Sequence, residues 1–356
     1  MTTVMFESWR GRYSDSPRAV AEYLRAARPE TTQYWVVDSG DSFPDWAQLV
    51  PRHRPDYFRR LITSDFVISN DIVSRHYLHG PGVTYVQCWH GIALKAIGFH
   101  DNKGGYVGNR AQLRRTRRDV RKWDYLVSPC PAITPIVRSA FEYDGKVLEI
   151  GMPRNDILSR DTDNAIRSRV RAELGLVEDA PVMLYAPTWR DDDRDDQGRL
   201  TQSVVPDWEA ILSAIPGLQI LFRTHKNVIA QAPDLPGLKD VSSYPDVAEL
   251  YLAADVLLSD YSSTIIDFAV TGRPIVCYAP DLEHYRNDLR AMYFDYEEWA
   301  PGPIVTQTDD LIDCLRDLPA VAAAYSAQYD GFVRKFCPYE DGHATQRLVE
   351  AVGLLD

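Results

Sequence analysis

A chain of 356 residues is too long for one ordinary core and predicts two domains of ordinary size. Its composition, 45% hydrophobic and 25% charged, is that of a water-soluble globular protein. A net charge of −12 argues against general nucleic-acid binding, and no apolar run approaches the ~20 residues of a membrane-spanning helix.

The opening, MTTVMFESWRGRYSDSPRAV, carries no signal-peptide pattern and passes at once into a strand and a helix. The expectation is a cytoplasmic chain, or one lying on the inner membrane surface. The five cysteines, Cys88, Cys130, Cys277, Cys314 and Cys337, are odd in number and widely spaced, so neither a disulfide framework nor a zinc site is indicated.

In chain order, apolar runs predict strands at Val4–Phe6, Tyr34–Val37, Phe66–Ser69, Thr84–Gln87, Tyr125–Ser128 and Val147–Ile150. A helix at Pro17–Ala27 follows the first, with Ser16 placed to cap it and Pro17 suited to the first turn. A break rich in glycine, proline and polar residues falls at Gly151–Ala165. Beyond it come strands at Val182–Tyr185, Gln219–Phe222, Val256–Ser259 and Ile275–Tyr278, separated by helices such as Asp207–Ala214, Asp246–Ala253 and Ser263–Val270. The alternation predicts an α/β chain of two open, mostly parallel, Rossmann-like sheets facing a cleft. The expected division is 1–152, 153–336 and a C-terminal amphipathic helix within 337–356.

In such sheets ligands bind beyond the carboxyl ends of the strands, so residues just after strands are the ones to examine. QCWHG places His90 and Gly91 there, with Lys95 a little further on. His90 is either a structural histidine bonded to backbone or an imidazole suited to take a proton from a hydroxyl. A glycine after it would let a substrate approach the backbone.

LYAPTWRDD brings Thr188 and Arg190 to a strand end, although Arg190 could pair with its acidic neighbours. FRTHKN brings Arg223, His225 and Lys226, either a solvated basic loop or cations that neutralise phosphate. VLLSDYSSTIID brings Asp260, Ser262, Ser263, Thr264 and Asp267 to a strand end and helix start. That pattern is a capping box, an anion site made of free N–H groups and hydroxyls, or both. The acidic run Asp191–Asp196 invites magnesium, but with no apolar scaffold it reads as a solvated loop. No metal or other cofactor is therefore expected to be required.

The segment Asn109–Asp124 holds seven basic residues against two aspartates: Arg110, Arg114, Arg115, Arg117, Arg118, Arg121 and Lys122. It is either a solvated helix or a basic face for an anionic membrane surface, and the preceding glycine-rich IGFHDNKGGYVGN favours the latter.

Taken together, FESWRGRYSDSPRAVAEYL, WHGIALKAIG, GMPRND, APTWRDD, FRTHKN, DVLLSDYSSTIIDFAVTGRPIVCY and YFDYEEWAPGPIV resemble the CDP-glycerol glycerophosphotransferase family of teichoic acid primases, polymerases and related capsule enzymes. The resemblance runs from about Val4 to the final DGHATQRLV. It implies a GT-B fold whose second domain binds the donor nucleotide. It also implies transfer of a polyol phosphate, glycerol before ribitol, from a CDP-polyol to a hydroxyl of a lipid-linked acceptor, with release of CMP.

On matching positions, His90 becomes the base, Arg223 and His225 hold the diphosphate, and Ser262 and Ser263 bind phosphate. Asp267 lies near the nucleotide, Thr188, Arg190, Asp260 and Thr264 belong to the donor site, and Gly91 and Lys95 face the acceptor. Two departures stand out: Ile92-Ala93 where the family usually reads threonine-proline, and Arg290-Ala291-Met292 where it reads arginine-glycine. The alternatives are a nucleotide-sugar glycosyltransferase or epimerase on the same fold, and a non-catalytic assembly protein at the membrane.

Overall fold

Val4, Met5 and Phe6 are wholly shielded from solvent, as are Val182 to Leu184. Runs buried on both faces are what a parallel sheet covered by helices requires. The computed structural model describes residues 1–38, 42–74, 78–101, 110–225, 228–229 and 232–355. The chain divides into two units. The first comprises Met1–Ile92, Gly108–Arg160 and Pro338–Asp356, and the second comprises Ala93–Val107 and Asp161–Cys337.

The first unit holds β1 (Thr3–Glu7), β2 (Thr32–Val37), β3 (Gln48–Pro51), β4 (Phe66–Ser69), β5 (Thr84–Gln87), β6 (Tyr125–Ser128) and β7 (Lys146–Glu149). All pairings are parallel, in the order β3-β2-β1-β4-β5-β6-β7. The second unit holds β8 (Val182–Tyr185), β9 (Gln219–Phe222), β10 (Leu238–Asp240), β11 (Val256–Ser259), β12 (Ile275–Tyr278) and β13 (Ile304–Val305). Its parallel order is β10-β9-β8-β11-β12-β13.

Each sheet reverses direction once, between β1 and β4 in the first and between β8 and β11 in the second. Ligand crevices of doubly wound sheets lie at such reversals, at the carboxyl ends. The residues that follow β1, β4 and β5, and those that follow β8 and β11, therefore matter most.

The inner strands lie close to their expected places, and the edge strand β7 lies one residue earlier than predicted. The edge strands β3, β10 and β13 were not predicted. Of β3 and β10 only Val50 is buried, and β13 is two residues long, so none presents an apolar run.

The first helix spans Asp15–Ala27 rather than Pro17–Ala27, and Ser14 rather than Ser16 stands at the N-cap. Asp207 and Asp246 cap their helices through their carboxylates, accepting from Ala210 N (3.0 Å) and Ala248 N (3.1 Å). The unit boundary lies at Arg160/Asp161 rather than at 152/153. The C-terminal helix, Ala344–Ala351, belongs to the first unit, where buried Asp156 accepts from Ala344 N and Thr345 N, each at 2.9 Å. All five cysteines are free thiols.

Candidate active site

In the first unit, His90 follows β5 and meets the turn after β4. Its Nδ1 lies 2.6 Å from the Asn70 carbonyl oxygen. A carbonyl can only accept, so Nδ1 carries the proton. Burial holds the imidazole below the ordinary histidine pKa, outweighing Asp71 and Asp15, whose carboxylates pull the other way. The ring is therefore neutral at pH 7, and its Nε2 has a lone pair to offer. Nε2 has no hydrogen-bond partner among the described residues.

Two indoles lie against this ring, Trp89 stacked at 4.5 Å and Trp9 tilted at 4.4 Å between centroids. Both tryptophans have left-handed backbone (φ +53° and +47°), as do Arg10 and Asp15 (φ +66° and +61°). Four such non-glycine residues around one imidazole are costly, and such strain collects at functional sites. Gly91, expected to let a substrate approach the backbone, is not left-handed, whereas Trp89 is.

Around them the carboxylates are engaged: Asp71 with Arg10 Nε (3.1 Å), and Asp15 with Trp9 Nε1 (3.2 Å) and Arg154 Nη1 (3.5 Å). Asn70 Oδ1 accepts from Trp9 N (2.9 Å), which joins the end of β1 to that of β4. Of this cluster, the sequence singled out His90 and not Trp9, Asn70, Asp71 or Trp89. The ESW and CWHG motifs contained the two indoles without showing that both lie against the His90 ring.

In the second unit Arg190 is 2% exposed and all three of its nitrogens are engaged. Nε and Nη2 donate to Asp281 (both 2.8 Å), and Nη1 donates to Asp260 Oδ2 (2.6 Å) and the Thr188 carbonyl. Burial disfavours the cation, but Asp260 and Asp281 outweigh it and raise its pKa. Asp260 Oδ1 accepts from Thr188 N (2.8 Å) and Tyr261 N (2.6 Å). Arg190 and Asp260, expected to line the donor site, are thus a buried strut joining the ends of β8 and β11. The alternative that Arg190 pairs within its own acidic loop does not hold, because its carboxylate partners are Asp260 and Asp281.

Most carboxylates of that loop are engaged, partly by residues from elsewhere in the second unit. Asp191 pairs with Arg290, Asp192 with His284 and Asp195 with Arg199, while Asp193 accepts from Ser203. Among the described residues no three His, Cys, Asp or Glu are grouped to hold a metal ion.

Lys95, expected on the acceptor side, lies in the second unit with its Nζ 3.3 Å from Thr188 Oγ1. Burial lowers the amine to about 7, helped by Arg290 and Arg190 and opposed by Asp260. Its backbone bridges antiparallel to Met292, flanked by Ala96 N to Ala291 O (2.8 Å) and Tyr293 N to Leu94 O (3.0 Å). Ala291 and Met292, from the second departure from the family pattern, therefore lie in a segment paired with Leu94, Lys95 and Ala96. Ile92 and Ala93 are buried, so both act as packing residues.

Arg223 Nη1 donates to the carbonyls of Val241 and Tyr244, both at 2.9 Å, and the His225 ring lies 5.9 Å from Trp189. Lys226 lies outside the described residues, as do residues 102–109 of the glycine-rich run. The helix after β11 spans only Thr264–Ala269. Ser263 makes no capping bond, while the Ser262 hydroxyl donates to Thr264 Oγ1 (3.0 Å) and its oxygen accepts from Thr264 N (3.3 Å). Asp267 is buried in that first turn.

The basic segment forms the helix Arg110–Val120. Arg110, Arg114, Arg117 and Arg118 are exposed, as is Arg121 just beyond it, while Arg115 and Lys122 are half-buried. Thr116, Asp119 and Val120 face inward. Among the described residues no helix is long and apolar enough to cross a membrane.

The sequence matches the profile of the CDP-glycerol:poly(glycerophosphate) glycerophosphotransferases over residues 1–354. The chain belongs to this family. It is 35% identical to the teichoic acid glycerol-phosphate transferase of Staphylococcus aureus, across 98% of this chain and 92% of that protein. It is 32% identical to the teichoic acid poly(glycerol phosphate) polymerase of Bacillus subtilis, across 98% of this chain but only 48% of that longer protein.

Among solved structures, the wall teichoic acid polymerase TagF, as a histidine variant soaked with CDPG, superposes with a TM-score of 0.91. The identity is 33%, over 99% of this chain and 88% of that one. Sucrose-phosphate synthase from Thermosynechococcus elongatus, at 13% identity and a TM-score of 0.52 over the whole of both chains, shares the fold alone. The family membership and these likenesses make the two sheets a GT-B-like α/β architecture in a CDP-glycerol glycerophosphotransferase-family enzyme.

Proposed function

We propose that the protein transfers glycerol phosphate from CDP-glycerol to a hydroxyl of a lipid-linked, teichoic-acid-type acceptor, with His90 as general base. The acceptor oxygen forms a bond to the phosphorus that bears glycerol, the bond from that phosphorus to CMP breaks in line, and the acceptor proton passes to His90 Nε2. The observation that carries this reading is the Nδ1–H to Asn70 bond on a neutral ring, which leaves Nε2 as the proton acceptor. Phosphoryl transfer otherwise needs positioning and charge stabilisation.

The second unit holds the donor. Arg223, His225, Ser262 and Ser263 serve the diphosphate, Asp267 lies near the nucleotide, and Thr188 and Lys95 line its site. Arg190 and Asp260 act from behind as the frame. No metal is assigned a role, and undiminished turnover in a chelator tests this. The exposed arginines of Arg110–Val120 rest on anionic lipid at the inner face of the membrane, where the acceptor is anchored.

The test is CMP release from CDP-glycerol and CDP-ribitol, each with a lipid-linked glycerophosphate-disaccharide acceptor, in wild type and His90→Ala. Acceptor-dependent release from CDP-glycerol that vanishes in the variant is expected. Release from CDP-ribitol alone would reassign the donor, and undiminished release in the variant would remove His90 as base.

A further inference from the structure

Two turns seat His90, and one side chain ties them together. The turn after β4 supplies the Asn70 carbonyl that fixes Nδ1–H, and the turn after β5 supplies the stacked Trp89 indole. Gln87, the last residue of β5, is wholly buried and uses both ends of its carboxamide here. Its Nε2 donates to the Asp71 carbonyl (3.1 Å), and its Oε1 accepts from Trp89 N (2.8 Å).

The orientation of that amide is set by its surroundings. Tyr85 Oη donates to Asp119 Oδ2 (3.0 Å), which leaves its oxygen to accept from Gln87 Nε2 (3.3 Å). Trp123 Nε1 donates to the same Asp119 oxygen (2.9 Å). Flipping the amide would set its oxygen against the Asp71 carbonyl and its nitrogen against the Trp89 N–H, losing both bonds. Gln87 thus meets Trp89 at its backbone, the place where the left-handed conformation must be held (φ +53°). Such strain persists only where the surroundings over-determine it.

We propose that Gln87 is a positioning residue for His90: one carboxamide fixes both the turn whose carbonyl selects the Nδ1–H form and the turn whose indole packs on the ring. It touches neither substrate nor imidazole, and acts through Trp89 and Asp71. Its effect on turnover rests on the assignment of His90 as base. Its effect on the state of His90 does not.

The experiment uses the full chain with 15N-labelled histidine and two-bond 1H–15N correlations, with His90 assigned through His90→Gln. Wild type is expected to show a single Nδ1–H form with a pKa below 6.5. Gln87→Leu removes both bonds. Gln87→Glu keeps an acceptor for Trp89 N but sets a second oxygen against the Asp71 carbonyl. Each is expected to give a mixture of tautomers and a pKa moving back toward the ordinary value. Tyr85→Phe, which keeps the ring and removes only the hydroxyl, shifts the signal the same way to a smaller extent, and serves if a Gln87 variant does not fold.

Gln33→Leu is the control. Gln33 is another buried glutamine of the same sheet, donating to the Ala21 carbonyl (3.1 Å), and its loss should lower stability without moving the His90 signals. In turnover, kcat of the Gln87 variants falls about 10- to 100-fold with KM for the donor unchanged. Folded Gln87 variants that keep the wild-type tautomer and pKa of His90 would overturn the proposal. Turnover that survives His90→Ala would instead remove the base assignment and leave the tautomer result to decide the role of Gln87.

Discussion

Arg190 Nη1 lies 2.6 Å from Asp260 Oδ2, and the two side chains are only 2% and 3% exposed. A paired buried charge is tolerated because its partner and hydrogen bonds replace water, and removing one member strands the other. Arg190→Leu should therefore lower the stability of the second unit by about 3–5 kcal/mol in urea unfolding. Arg190→Lys should not restore it, because an ammonium cannot match the forked contacts to Asp260 and Asp281. A variant with the wild-type midpoint that no longer gains thermal protection from cytidine nucleotides would show a donor ligand instead of a strut.

A general base works only when deprotonated, so with His90 in the proposed role the acid limb of kcat/KM reports its free-enzyme pKa. Burial lowers that pKa while Asp71 raises it. Activity should rise with pH through a midpoint below 6.5, the group being protonated and inactive below it and neutral above it. Asp71→Asn removes a carboxylate that favours the imidazolium, so the limb should move to lower pH still. Movement to higher pH would contradict this account of the ring's environment.

How much of this could be read in the sequence depended on range. The inner strands were legible because burial on both faces demands unbroken apolar runs such as VLLS and IVCY. The edge strands β3 and β10 bury little and were invisible for that reason. His90 was singled out by its place after a strand. Asn70 and Trp9 were not, because they reach it through the sheet order, which puts β1 and β5 on either side of β4. Arg190 misled for a related cause: its neighbours in sequence are aspartates, yet its partners are Asp260 and Asp281, brought in by β11 and the turn after β12. Asp119 sits in a run of arginines and reads as one more surface charge. The helix turns it inward, where burial pushes its carboxyl up to about 7.

Lys95 offers a calorimetric test of the donor site. With its amine lowered to about 7, the residue is mostly neutral at pH 8, whereas contact with a diphosphate would favour the ammonium and raise the pKa. Binding of CDP-glycerol at pH 8 should then take up a proton, approaching about one per donor, and the uptake should fade toward pH 6, where the amine is already charged. Titrations in buffers of different ionisation enthalpy measure it, and Lys95→Met should abolish it. Binding at pH 8 without proton uptake would separate Lys95 from the diphosphate.

The basic helix Arg110–Val120 makes a prediction of opposite signs. Arg114, Arg118 and Arg121 are exposed, whereas exposed Arg117 is held by Glu142 through two bonds, Nη2 to Oε1 at 2.8 Å and Nε to Oε2 at 3.2 Å. Each basic residue near an anionic surface contributes about 1 kcal/mol, so neutralising those three to Gln should weaken binding to anionic vesicles roughly 100-fold or more. Binding to uncharged vesicles should be unaffected. The fold should survive, because the helix packs through Thr116, Asp119 and Val120, none of which is altered. Glu142→Gln acts the other way: it releases Arg117 from its partner and should tighten binding, by up to about 1 kcal/mol. Co-sedimentation at moderate salt measures all of these. A triple variant that binds anionic vesicles as wild type does would leave this face as ordinary solvated surface, and would require the proposed lipid-linked acceptor to be reached by some other part of the chain.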